Sequence, residues 1–287
     1  MNTLTDYCLN NINKLINYQQ SSFEWRNNYD VKSLIELKDF KNIEADIPSK
    51  LNRQHIICLI KSEKFYQAFV EIMLWGHVGA VPGANKSKKT AIAKKIFKFD
   101  INKIKNIFQI VNAGNINEIR NLYFELEKPN GFYKIPGVGV SYFTKILSFA
   151  SEASDASNLT LLIYDKWTKL IHVHLLFDNK NNGIIDSFFS KVEISNLYSK
   201  SKGENLSTTK LISPKSDKTF EAYINFCELI NSLAKTLSDK SKNDISAFQL
   251  EGFLFGNELR GKINKVESNP RFWAQQNLAN NYLLNYK

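Results

Sequence analysis

Cysteine is scarce in this chain: three residues in 287, Cys8, Cys58 and Cys227, far apart and at no paired spacing. That excludes a disulfide framework and a cysteine-based zinc or iron-sulfur site, and it suits a reducing cytosol. Long apolar runs are missing as well. No stretch approaches the ~18 residues of a membrane span, and Met1-Asn2-Thr3-Leu4-Thr5-Asp6-Tyr7 lacks the basic-then-apolar order of a secretory leader. The expectation is an unprocessed, soluble, cytoplasmic protein. Strand-like alternation is sparse, and no repeat or low-complexity tract stands out. Among charges the acids are the minority, 28 Asp plus Glu against 38 Lys plus Arg, a net of +10. Such a surplus favours a polyanionic partner, nucleic acid before an anionic membrane, although a lysine-rich genome would give the same count.

What remains is mostly helical periodicity. Residues 2–20 carry a narrow stripe of Leu4, Cys8, Ile12 and Leu15 and read as a peripheral helix, with Trp25 beyond it. From Ser62 as N-cap, Phe65, Phe69, Ile72 and Met73 have helical spacing while Tyr66, Val70 and Leu74 fill a second face, which predicts a helix buried on most sides. It runs into Trp75-Gly76-His77-Val78-Gly79 and Ala80-Val81-Pro82-Gly83, either a wall for a flat ligand or a plain helix C-cap and turn. His77 has no metal-ligand partner at helical spacing. Lys86, Lys88, Lys89, Lys94, Lys95 and Lys98, interleaved with Ile92, Ile96, Phe97 and Phe99, predict an amphipathic helix with a cationic face, of a kind usually just solvated.

Helices follow over 101–111 and 116–127, broken at Asn112-Ala113-Gly114-Asn115. Residues 151–158 read as a loop. Beyond Phe177, Ile184 to Phe189 is the best helical candidate and the chain around 199–210 is expected to be irregular or mobile. Helices are expected again at about 217–238 and 244–256, and the polar tail from Lys262 holds Phe272, Trp273 and Tyr282, so part of it should dock. The length allows one large domain or two small ones. Three segments result: an N-terminal helical region (1–60), a core (61–178) and a C-terminal helical region (179–287) packing on that core.

The chain is organised around Lys134-Ile135-Pro136-Gly137-Val138-Gly139-Val140-Ser141-Tyr142-Phe143-Thr144-Lys145. Two glycines one residue apart, after proline and before an apolar helical pattern, predict a tight hairpin between helices. Glycine there permits positive φ and close approach of another backbone. The helix after it places Ser141, Lys145 and Ser148 on one face and Phe143, Ile146, Leu147 and Ala150 on the other. A helix N-terminus behind such a turn offers unpaired N–H groups to a phosphate whatever the base sequence. Farther on, Asp165 within Leu161-Leu162-Ile163-Tyr164-Asp165-Lys166-Trp167 opens another helix as its N-cap.

Ile135-Pro136-Gly137-Val138-Gly139, with Asp165 placed 24 residues beyond Ser141, resembles the helix-hairpin-helix DNA glycosylase superfamily, and Phe143-Thr144-Lys145-Ile146-Leu147-Ser148-Phe149-Ala150 is similar to bacterial proteins of the 8-oxoguanine-glycosylase fold. The resemblance covers roughly residues 130 to 175, with an echo at Leu74-Trp75-Gly76. It implies a mostly α fold of two helical subdomains flanking a cleft, and a monomer that binds double-stranded DNA. Pro136, Gly137, Val138, Gly139, Val140 and Ser141 would then grip DNA. The resemblance implies no cofactor beyond a monovalent cation on the hairpin carbonyls, and no other metal.

It also implies base excision, with Asp165 stabilising positive charge on the sugar or positioning the nucleophile. Trp75, Gly76 and Trp167 would line the base pocket, Phe132 and Tyr142 being further aromatic contacts. Bifunctional relatives carry a nucleophilic lysine two residues after the second glycine, where this chain has Ser141; Lys145, one turn later, is the substitute. A water nucleophile is equally compatible, and so is a non-catalytic DNA-binding module. Repair of damaged bases and defence against modified foreign DNA differ in pocket and substrate, not in mechanism.

Overall fold

The computed structural model describes residues 3–19, 22–79, 85–154, 159–179, 182–199, 204–255 and positions 270, 273, 274 and 277, with backbone alone at 166, 167, 182, 183, 191–199 and 204–213. In chain order come α1 (Leu4–Asn10), α2 (Ile12–Ile16), β1 (Phe23–Glu24), α3 (Val31–Ile35), α4 (Lys38–Ile43), β2 (Lys50–Leu51), α5 (Arg53–Lys61) and α6 (Phe65–Trp75). Then follow α7 (Lys86–Phe97), α8 (Ile101–Ala113), α9 (Ile116–Glu127), α10 (Val140–Ala153), α11 (Lys166–Asp178) and α12 (Asn182–Phe188). The chain ends its described elements with β3 (Phe189–Ser199), β4 (Glu204–Pro214), α13 (Thr219–Ser241) and α14 (Ala247–Phe255). The fold is mostly α, as the periodicity predicts. Among the described residues no helix is long and apolar enough to cross a membrane.

The chain divides into two compact units, Ser21–Ile163 and Met1–Gln20 with Tyr164–Lys287. The sequence-based segments end elsewhere, at 60 and 178. In the unit Ser21–Ile163, α6 is buried from Phe65 through Leu74 on nearly every side, and α10 packs on α5, α6 and α8. Each fully buried Leu, Ile or Phe of that core contributes about 1.5–3 kcal/mol. Trp25, placed by sequence after a peripheral helix, has no exposed surface and donates its indole N–H to Pro48 O at 2.9 Å. Helices α8 and α9 meet at Gly114, whose φ of +70° ends α8, while the Asn115 side chain caps α9 by accepting from Asn117 and Glu118 N–H.

In the other unit α1, α11, α12 and α14 pack on α13. Trp273 does dock: its ring stacks on Tyr7 at 4.4 Å and on His174 at 5.1 Å. Phe272 and Tyr282 lie outside the described residues.

Four local expectations are corrected. The helix expected over 2–20 is broken at Asn11 into α1 and α2. Ser62 is the C-cap of α5, and Lys64 precedes α6 instead. Ser151 to Ala153 continue α10, because the Ser151 hydroxyl donates to Leu159 O (2.7 Å) and accepts from Leu161 N–H (3.0 Å), which holds that last turn; residues 155–158 of the expected loop lie outside the described residues. Residues 204–210, expected to be irregular, belong to an antiparallel hairpin of β3 with β4. A register shift between Glu193 and Ile194 breaks the period of two that would have announced it.

Candidate functional site

The hairpin forms as its residues require. Ile135 and Val138 are buried and anchor the turn from within, while Pro136, Gly137 and Gly139 are exposed. Gly137 has φ +78°, a conformation that costs a residue with a Cβ roughly 1–2 kcal/mol. Around both Gly137 and Gly139 there is open space: a Cβ built on either would meet nothing within 4 Å. Gly139 is the N-cap of α10 and supplies no side chain to satisfy the first N–H groups of that helix. Lys134 spans the back of the turn, its Nζ donating to Val138 O at 3.1 Å and to Glu127 O at 3.3 Å. The Val138 carbonyl, one of the hairpin oxygens on which the resemblance would place a monovalent cation, already accepts from the Lys134 ammonium.

One turn into α10, Lys145 is 91% buried, and its Nζ bends back to donate to Ser141 O at 2.8 Å and Ser141 Oγ at 3.2 Å. Its amine thus stands beside position 141. The stem of Lys145 runs past Gly76, where a Cβ would lie 3.0 Å from Lys145 Cδ and 3.2 Å from Ile72 O. Gly76 is not needed for its own backbone conformation, since its φ is −73°. The left-handed residue that ends α6 is His77 (φ +56°), with His77 N–H bonded to Leu74 O and Val78 N–H to Met73 O, a Schellman cap. The loop forms the helix C-cap, and its continuation over 80–83 lies outside the described residues. His77 O also accepts from the Tyr142 hydroxyl at 3.1 Å, which ties the first turn of α10 to the end of α6.

The polar face expected on α10 is largely buried. Ser148 has no exposed surface and pairs with Arg53 Nη2 at 3.0 Å, while Arg53 Nε meets the Glu152 carboxylate and the guanidinium lies 4.7 Å over the Phe149 ring. Phe149 in turn meets Trp75 edge-on at 5.2 Å, leaving Trp75 half-buried at the end of α6.

Asp165 opens the other unit. Its Oδ1 accepts from Thr168 N–H at 3.1 Å, and Thr168 Oγ1 accepts from Asp165 N–H at 2.6 Å, so the two residues cap α11 reciprocally. Tyr164 beside it is buried, its hydroxyl 2.9 Å from His172 Nδ1. His172 Nε2 lies 3.0 Å from Asn225 Oδ1 on α13. A neutral imidazole carrying its proton on Nε2 satisfies both bonds, and burial, the dominant influence, lowers the His172 pKa to about 4.

A family model described as "OGG: Putative 8-oxoguanine DNA glycosylase OGG-like protein" matches residues 17–255. The chain belongs to this family. No curated protein and no solved structure is significantly similar to it.

Within this OGG-like chain the predicted site residues fall into two sets. Pro136 through Ser141, Lys145, Trp75 and Gly76 lie in the unit Ser21–Ile163, where Lys145 meets Ser141 directly and passes against Gly76. Asp165 and Trp167 lie in the other unit, and the Trp167 side chain is outside the described residues. Three partners escaped sequence reasoning. Thr168 could have been found from the Asp-x-x-Thr spacing of a reciprocal cap. Arg53 and Lys134 gave no signal, because their contacts come from tertiary packing and from the path of one turn.

Proposed function

We propose that this chain is a DNA glycosylase that cleaves the N-glycosidic bond of a damaged or modified base flipped out of duplex DNA. The observation that carries this reading is the open, uncapped hairpin: two glycines without neighbours on their outer side lead into the N-terminus of α10. A phosphate there meets backbone N–H groups and the positive end of the helix dipole, and such binding is independent of sequence. Selectivity must then come from the pocket that takes the flipped base, for which Trp75 and Trp167 are the aromatic candidates.

In this reading the bond between C1′ and the base nitrogen breaks with its electron pair leaving on the base, and positive charge builds on the sugar. Asp165 stabilises that charge, and a nucleophile supplies the new pair to C1′. Water can do so after giving its proton to a carboxylate. Lys145 can do so once its amine is unprotonated, and the iminium formed after base loss would be reducible by borohydride. Ser141, at the position where bifunctional relatives carry lysine, supports the water route; the Lys145 amine resting against Ser141 supports the other.

The test is base release from a panel of duplexes carrying oxidised, alkylated, deaminated and phage-type hypermodified bases, with Asp165→Asn as the control. Release by the wild-type protein with a loss of about 100-fold or more in the variant supports the reading. Tight duplex binding with no release from any substrate would leave a non-catalytic DNA-binding module, which the engagement of Asp165 as a helix cap favours.

A further inference from the structure

The lysine behind the hairpin has a role beyond holding a turn. Lys134 stands four residues before Val138, half-buried, and its Nζ bonds both the Val138 carbonyl at 3.1 Å and the carbonyl of Glu127, the last residue of α9, at 3.3 Å. A cation at the end of α9 offsets the negative pole of that helix. The second contact concerns the hairpin itself. The Val138 carbonyl and the Gly139 N–H belong to one peptide group, and in a planar trans peptide they point in opposite directions. A positive charge on the oxygen draws electron density away from the nitrogen and makes that N–H a stronger donor. Gly139 is the exposed N-cap of α10, the residue with open space at its side.

We infer that Lys134 is the resident cation of the hairpin, its ammonium standing in place of a bound monovalent metal ion and polarising the Val138–Gly139 peptide toward a DNA phosphate. A metal ion sharing the Val138 oxygen would lie within about 6 Å of Nζ, inside the ~8–10 Å over which salt screens charge. The two cations therefore repel one another, and the ammonium weakens any metal ion on the same oxygen. The inference rests on the hairpin being the DNA grip, and its experiment separates the two claims.

Duplex affinity is measured by fluorescence anisotropy in potassium, sodium and tetramethylammonium chloride at equal ionic strength, for wild type, Lys134→Met and Lys134→Gln. Glutamine keeps a hydrogen-bond donor without the charge, and thermal melting checks that each variant is folded. Wild-type affinity is expected to be the same, within about twofold, in all three salts. Both variants are expected to lose about tenfold in tetramethylammonium, the scale of one charge-assisted hydrogen bond. Part of that loss should return in potassium or sodium, which can enter the vacated site. Wild-type binding about tenfold tighter in potassium than in tetramethylammonium would overturn the inference. So would variants that bind like the wild type in every salt. A wild-type protein that binds no duplex in any salt removes the DNA reading of the hairpin, and this inference with it.

Discussion

Lys145 Nζ lies 2.8 Å from Ser141 O and 3.2 Å from Ser141 Oγ. An amine that begins one turn down α10 is thereby returned to position 141. If it is the nucleophile, borohydride should trap a covalent complex with substrate DNA. The trap should vanish in Lys145→Ala and persist in Ser141→Ala, because the main-chain carbonyl still holds the amine. Gly76→Val should stay folded, at a cost of about 1–3 kcal/mol for overpacking, yet lose most of the trap as the lysine stem is pushed aside. Undiminished trapping in Lys145→Ala clears Lys145 of this role.

Gly139→Ala separates grip from scaffold. Gly139 has φ −98° and ψ −176°, an extended conformation open to any residue, and its Cβ position is empty. The substitution should change folding stability by no more than about 0.5 kcal/mol, while its methyl group obstructs an approaching phosphate and weakens duplex binding. Gly137→Ala, at φ +78°, should instead cost roughly 1–2 kcal/mol of stability. Chemical denaturation and anisotropy measured on the same samples decide it, and equal duplex affinity of wild type and Gly139→Ala would contradict a phosphate seat there.

In the proposed function Asp165 both caps α11 and carries the catalytic carboxylate, and asparagine can do only the first. As an N-cap, Asn is as good as Asp, so Asp165→Asn should melt within a degree or two of wild type even as base release falls by about 100-fold or more. Thr168→Val keeps the carboxylate and removes half of the reciprocal cap, and should cost about 1 kcal/mol. A Thr168→Val variant as inactive as Asp165→Asn would point to helix integrity, not carboxylate chemistry, as the source of the loss.

Acid should loosen the unit that contains His172. Its pKa falls from an ordinary 6.5 to about 4 through burial, so between those values the unfolded chain binds the proton and the folded chain does not. Stability contributed by the neutral ring is full above 6.5 and is lost as pH falls toward 4, at up to about 1.4 kcal/mol per pH unit. Urea midpoints followed from pH 7 to 4.5 should drop, and His172→Gln, which cannot titrate, should flatten the profile. Parallel profiles for the two proteins would refute the assignment.

Much of this was legible in the sequence, for identifiable reasons. Helix α9 announced itself through Ile119, Leu122, Tyr123 and Leu126 on one face, after a break at residues 112–115, and all four apolar residues are buried. The hairpin was legible because proline and spaced glycines dictate backbone shape locally. The β3–β4 hairpin was not, since its shifted register and its Ser, Thr and Asn content hide the alternation. Gly76 was read as part of a pocket wall, and only the path of the Lys145 stem supplies another reason for a glycine there. His172 carried no motif; a buried imidazole between Tyr164 and Asn225 is a product of tertiary packing.

Arg53 fastens the far end of α10 through Ser148, Glu152 and the face of Phe149. A helix held along its length has already given up its rotational and rotameric freedom during folding. If DNA docks at its other end, as proposed, it meets a rigid body, so docking there should resemble a key entering a fixed lock more than a segment ordering around its ligand.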